Sequence, residues 1–169
     1  MVYKWNYKTP AQYDDLCMTS DGEYLTGLWF KQSSDEKKHN YKNAEEKDLP
    51  IFKQTTKWLD NYFAGVENKD TPKYLISNIT PFRKRVIDIM LKIPYGKTIS
   101  YGDIANEIAK DIGLRKMSSQ AVGGAVGWNP ICIIIPCHRV IGSDGKLVGY
   151  GGGLNNKISL LKHEKAIWY

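Results

Sequence analysis

The sequence predicts an α+β fold in two parts: a small α/β domain over residues 1–78, and a mainly helical domain over residues 79–169 that carries a winged-helix-like helix-turn-helix and a reactive cysteine at the end of a buried strand. Three observations predict it. Alternating polar and apolar residues flank the turn dipeptide Asp21-Gly22, the pattern of a half-buried hairpin. Apolar residues recur at helical spacing in several later segments, each opened by a capping residue or a proline. The run Ile131-Cys132-Ile133-Ile134-Ile135 is continuously apolar and rich in β-branched residues, as in a strand covered on both faces. With 169 residues, 42% of them hydrophobic, the chain can bury a core for one ordinary domain or two small ones.

In chain order, Glu23 to Phe30 is the returning strand of the hairpin, and Ser33 to Asp48 is charged and without apolar periodicity, a solvated loop. Pro50 precedes a helix whose large apolar residues run from Ile51 to Phe63, and Gly65 ends it. The polar stretch Glu67 to Lys73 is a connector. The second part opens at Thr80-Pro81, an N-cap followed by proline at the first helical position. Its amphipathic helix ends before Pro94-Tyr95-Gly96. Ser100 caps a second helix from Tyr101 to Lys110, and a third begins near Ser118-Ser119 and runs to Val126. Those two helices suit a helix-turn-helix with a longer connector than the usual tight turn. The third contains Gly123-Gly124, and each glycine costs a helix interior roughly 1 kcal/mol relative to alanine. The gain is close approach, either of another helix or of a nucleic-acid groove that a smooth Gly/Ala surface can enter.

Composition narrows the function classes. The +6 net charge is unevenly placed: residues 1–78 carry 11 Lys+Arg against 12 Asp+Glu, and residues 79–169 carry 13 against 6. A basic half-chain suits a polyanionic partner, nucleic acid first, and equally a plain soluble surface. No stretch approaches the ~20 apolar residues of a membrane span, and the start lacks the apolar run of a secretory signal. The expectation is a cytoplasmic protein with no membrane partner. Cys17, Cys132 and Cys137 are odd in number, which disfavours a disulfide framework. The three histidines fall in no metal-binding spacing, so neither structural zinc nor any other metal or cofactor is expected.

Pro136-Cys137-His138-Arg139-Val140 follows the apolar run, so a thiol, an imidazole and a guanidinium appear where proline halts the ladder. A cysteine beside an apolar run is most often a small core residue; that reading applies to Cys132 and Cys17. The thiolate is the reactive form, and a thiol near pKa ~8.5 is only slightly ionised at neutral pH, so a proton acceptor is needed. His138 is the local candidate. Neighbours on a strand point to opposite faces, so it can act only if the backbone turns or a water bridges. Glu164, on a terminal helix from Lys157, is a plausible carboxylate to orient the base.

Asn129-Pro130, the apolar run, Pro136 to Val140, Gly142-Ser143-Asp144-Gly145, Gly149 to Gly153 and Lys157 to Glu164 together resemble the signature region of the O6-alkylguanine-DNA alkyltransferases, the methylated-DNA–protein-cysteine methyltransferases. Tyr95 to Tyr101 and Ala121 to Ala125 are similar to that family as well. The resemblance covers residues 79–165, whereas the first 78 match only in general layout. It implies direct-reversal repair of double-stranded DNA by a monomer: Cys137 accepts the alkyl group of O6-alkylguanine, with O4-alkylthymine a second candidate substrate, once and irreversibly, after the base is flipped from a duplex held through its minor groove. It further implies that His138 is the base acting through a water, that Glu164 orients it and that Asn129 braces the turn. Tyr101 then assists departure of the guanine, backbone around Cys137 and Val140 meets its amino group, Gly151 with Tyr150 meets O6, and Lys157 occupies the family's active-site lysine position. Gln120, Ala121, Gly123, Gly124 and Arg139 become the DNA contacts.

One departure stands out. The family usually has arginine where this chain has Gln120, which is shorter and uncharged, so weaker extrusion of the base is expected. Rival readings come from other classes. A module that binds alkylated bases without reacting is disfavoured by Cys137, a helix-turn-helix regulator by the lack of long polar side chains on the third helix, and a Cys-His hydrolase by the position of the cysteine, since peptidase nucleophiles usually open a helix and draw on a distant histidine.

Overall fold

The computed structural model describes residues 1–167, and its chain divides into two compact units, 1–77 and 78–169. In the first, β1 (Tyr3–Tyr7), β2 (Leu16–Ser20), β3 (Leu25–Phe30) and the short β4 (Glu45–Glu46) form one sheet in the order β3-β2-β1-β4. β1 and β3 each pair antiparallel with β2, whereas β4 runs parallel to β1. The Asp21 carboxylate accepts from the amides of Glu23 and Tyr24 and Gly22 has φ +111°, so the turn forms where the dipeptide announced it.

α1 (Pro50–Phe63) has proline in its first turn. Its Phe52 stacks on Trp5, and Tyr7 donates to Asp60 at 2.7 Å, which fixes the helix on one face of the sheet. The opposite face is also buried. Cys17 and Trp29 are register partners there, and His39 lies flat on Trp29 with ring centroids 4.0 Å apart, flanked by Tyr41. The segment expected to be a solvated loop therefore holds a 3-10 turn (Ser34–Lys38), β4 and the aromatic cover of the second sheet face. It was illegible because two side chains, not a periodic pattern, make the contact.

In the second unit α2 (Pro81–Leu91), α3 (Tyr101–Asp111) and α4 (Ser119–Gly127) pack on one another, with a two-stranded parallel pair, β5 (Ile99–Ser100) and β6 (Val140–Ile141), and the last helix α5 (Leu154–His163). The caps read from sequence form: Thr80 accepts from Arg83, Ser118 from Ala121, and Ser100 and Asp103 make a reciprocal capping box. One element is corrected. Residues 131–135 are buried, but Ile131 makes only a bridge and residues 132–135 are wound into a turn and bend, so Cys137 does not end a strand; it opens a 3-10 turn, Cys137–Arg139. Among the described residues, no helix is long and apolar enough to cross a membrane.

Gly27 is the tightest fit in the first unit. A Cβ there would lie 2.6 Å from Thr19 Oγ1 and 2.7 Å from His39 Nδ1. Gly27→Ala is expected to lower stability by about 1–3 kcal/mol and to weaken the near-ultraviolet signal of Trp29 as His39 is displaced. Urea unfolding and circular dichroism check this; wild-type values for both would show that the ring tolerates the methyl.

Candidate active site

The cysteine turn is shaped by an asparagine and a strained isoleucine. Asn129, buried just after α4, donates from Nδ2 to the Ile135 carbonyl at 2.9 Å and accepts from the Ile131 amide at 3.0 Å. Within that closed loop Ile134 N–H donates to the Cys132 carbonyl at 2.8 Å, and Ile133 has φ +69°. A β-branched residue in the left-handed region costs of order 1–3 kcal/mol and persists only where its surroundings over-determine it. Here the side chains of residues 131–135 are all buried and Asn129 ties the ends together. Pro136 follows, the Cys137 amide reaches the Ile135 carbonyl at 2.8 Å, and the chain enters the 3-10 turn. The backbone therefore turns at the point where a thiol and an imidazole are adjacent.

Behind that turn lies the Glu164 carboxylate, 2% exposed at the end of α5. Oε2 is 2.6 Å from His138 Nε2, Arg139 donates from Nε to Oε1 at 2.8 Å and from Nη2 to Oε2 at 3.1 Å, and the Gly96 amide donates to Oε1 at 3.2 Å. Burial opposes ionisation, but the hydrogen bonds from His138 and Arg139 and the charge of Arg139 outweigh it and hold Glu164 well below the usual carboxylate range. Burial pushes His138 below the ordinary imidazole value, against the pull of Glu164. Arg139 already neutralises the carboxylate, so the imidazole is neutral, with Nε2–H donating to Glu164 and Nδ1 carrying the lone pair. No protein group among the described residues hydrogen-bonds Nδ1.

Lys157, fully buried on α5, donates to the Val140 carbonyl at 2.7 Å and to the Val148 carbonyl at 3.4 Å, with its ammonium 5.7 Å from the Tyr150 ring centroid. Burial lowers it to about 8, and the Cys137 charge opposes that fall. Cys137 itself is 6% exposed, with Sγ 3.6 Å from Tyr150 Oη. Burial and the same cysteine raise Tyr101 above the ordinary phenol value.

Cys137, His138, Glu164, Asn129, Val140, Tyr150 and Lys157 are thus brought into one network, and Tyr101 is electrostatically coupled to the thiol. Gly151 lies in the turn that Gly153 N–H closes onto the Tyr150 carbonyl. Gln120, Ala121 and Gly124 are exposed on α4, and Gly123 is half-buried under the Tyr101 ring. Two cations beside the thiol turn inward. Arg139, 12% exposed, directs its guanidinium to Glu164 and to the Ile93 carbonyl at 2.8 Å, so it clamps the site from within. Lys157 Nζ is committed to backbone carbonyls that hold the chain around the thiol. Sequence reading missed the Gly96 amide, for which Pro94-Tyr95-Gly96 gave only a turn signal, and the strain at Ile133, which had none. Among the described residues no three His, Cys, Asp or Glu side chains are grouped to hold a metal.

Comparison with known proteins gives this network a family. Residues 81–166 match the family model described as 6-O-methylguanine DNA methyltransferase, DNA binding domain, and residues 2–70 match its ribonuclease-like domain. The chain belongs to the 6-O-methylguanine DNA methyltransferase family. It is 46% identical to the methylated-DNA–protein-cysteine methyltransferase of Mycobacterium leprae, over 89% of this chain and 86% of that one. To that of Haemophilus influenzae it is 36% identical, over 92% and 83%. The solved structure of Mycobacterium tuberculosis OGT in complex with DNA superposes with a TM-score of 0.80 at 36% identity, covering 96% of this chain and 92% of that one.

The sign of one pH dependence follows from the network. A carboxyl whose folded pKa is depressed contributes stability that is complete above its unfolded value and is lost as pH falls through the folded one. Below about pH 4.5 the wild-type chain should therefore lose stability partly through Glu164. Glu164→Gln is expected to be less stable at neutral pH, because it leaves the Arg139 charge unpaired, and to show a shallower fall between about pH 5 and pH 3. Equal slopes in urea titrations of both proteins would contradict this assignment.

Proposed function

We propose that the chain repairs DNA by direct reversal, with Cys137 taking the alkyl group from O6 of a guanine flipped out of double-stranded DNA. The observation that carries the reading is the buried thiol and imidazole of Cys137 and His138 at one backbone turn, with the buried Glu164 carboxylate on the imidazole. His138 Nδ1 draws the thiol proton through a bridging water, and Glu164 holds the ring in the tautomer that leaves Nδ1 basic. The sulfur then attacks the alkyl carbon in line; the S–C bond forms as the C–O bond breaks, and the electron pair leaves with guanine. Tyr101 holds its proton more tightly than an ordinary phenol, so it donates a hydrogen bond to the ring as negative charge develops there. Backbone at Cys137, Val140 and Gly151, beside Tyr150, lines the base pocket, and Lys157 keeps that backbone in place. A thioether does not hydrolyse, so each chain reacts once, and one chain supplies every group the step uses.

The DNA surface of this reading is α4. Gly124 and Gly127 are exposed, and a Cβ on either would meet nothing within 4 Å. Internal packing does not account for their missing side chains. A backbone that must lie against a narrow minor groove does. In this reading Gln120, exposed at the start of this helix, hydrogen-bonds the base left unpaired by extrusion.

The deciding experiment treats the protein with a duplex carrying O6-methylguanine and weighs the Cys137 peptide. A stoichiometric gain of one methyl in place of hydrogen is expected, and Cys137→Ser should abolish it while duplex binding survives; an unmodified peptide after prolonged incubation would refute the activity. Gly124→Val tests the surface separately. It should leave the folded state intact and transfer from free O6-benzylguanine at the wild-type rate, yet weaken duplex binding at least tenfold. Unaltered binding would remove α4 from the interface.

A further inference from the structure

Where α4 ends, the structure holds a cation that the chemistry of Cys137 does not use. Trp128 caps the helix one residue beyond the open Gly127, and the Arg83 guanidinium lies over its indole, 4.4 Å from the ring centroid. Both side chains are half-exposed. Arg83 sits in the first turn of α2 between Thr80, whose hydroxyl accepts from its backbone amide, and Lys84, whose ammonium is paired with Asp88. Arg83 itself has no carboxylate within ion-pair distance among the described residues. An arginine stacked on indole keeps its full charge and its outward N–H donors while losing much of its side-chain freedom.

Resting on the DNA-repair reading above, we infer that Arg83, held by Trp128, is a phosphate-binding site at the end of the α4 interface. Two features point to a phosphate diester. The half-chain from residue 79 carries a net +7, and α2 presents this cation beside the helix face where glycines leave the surface open. The alternative, that the pair only fastens α2 to α4 and completes the helix C-terminus, predicts a loss of stability with no change in how binding responds to salt.

The test uses the full chain and an undamaged duplex, with affinity followed by fluorescence anisotropy as potassium chloride rises from about 50 to about 200 mM. Arg83→Gln should weaken binding roughly fivefold and flatten the plot of log affinity against log salt by about 0.9, the loss of one phosphate contact. Arg83→Lys should keep the slope, because the charge remains. Trp128→Leu should weaken binding in the wild-type background and have no further effect in the Arg83→Gln background. All variants should transfer from free O6-benzylguanine at the wild-type rate. A slope unchanged by Arg83→Gln, or equal effects of Trp128→Leu in both backgrounds, overturns the site and leaves the repair reading standing; a wild-type chain that fails to bind duplex DNA at all sinks both.

Discussion

The second unit is organised around the ionised carboxylate of Glu164. It ends α5, and it receives hydrogen bonds from the 3-10 turn that carries His138 and Arg139 and from the Gly96 amide ahead of β5. Three stretches of chain distant in sequence are thereby fixed to one group. A buried carboxylate is tolerable only when paired and hydrogen-bonded, and Arg139 meets that condition without asking His138 for a proton. The neutral histidine is the consequence that matters. Were Arg139 absent, the nearest way to satisfy Glu164 would be an imidazolium, and an imidazolium is no base.

The position of the thiol rests on a different device. In an extended strand Cys137 and His138 would face opposite sides, and the buried network behind His138 would be out of the thiol's reach. At Cys137–Arg139 the chain is a 3-10 turn and not an extended strand, and the strain at Ile133 together with the Asn129 bridge delivers the chain into it. Apolar β-branched content foretold the burial of residues 131–135 correctly and their geometry wrongly. Both patterns follow from the same composition, and what separates them is one side-chain amide reaching across six residues, a contact with no periodicity to betray it.

Legibility followed the range of the cause. Helix starts at Pro50, Pro81, Tyr101 and Ser119 were readable because the capping hydroxyl or proline lies within a few residues of what it caps. The Asp21-Gly22 turn was readable for the same reason. His39 on Trp29, Gly96 on Glu164 and Arg139 on the Ile93 carbonyl were not, since each joins residues ten or more apart through geometry that only the folded chain has. The residues of the site were named through family resemblance, and what resemblance could not give is their contacts: Arg139 and Lys157, both cationic and both near the cysteine, turn inward.

That inward turn leaves an electrostatic question in the core, and Lys157 answers it. Its ammonium is fully buried, held by carbonyl oxygens and an aromatic face, with no carboxylate in ion-pair distance among the described residues. Carbonyl dipoles reduce the desolvation penalty without supplying a counter-charge, which is why burial brings the group down to about 8. The ionisable partner coupled to it is Cys137. Each of the two groups favours the charged form of the other, so the lysine gains most from its proton when the cysteine has lost one. Among the described residues Lys157 is thus a buried cation with no carboxylate partner beside the thiol, while Arg139 and Glu164 cancel and the exposed cations of α2 face outward.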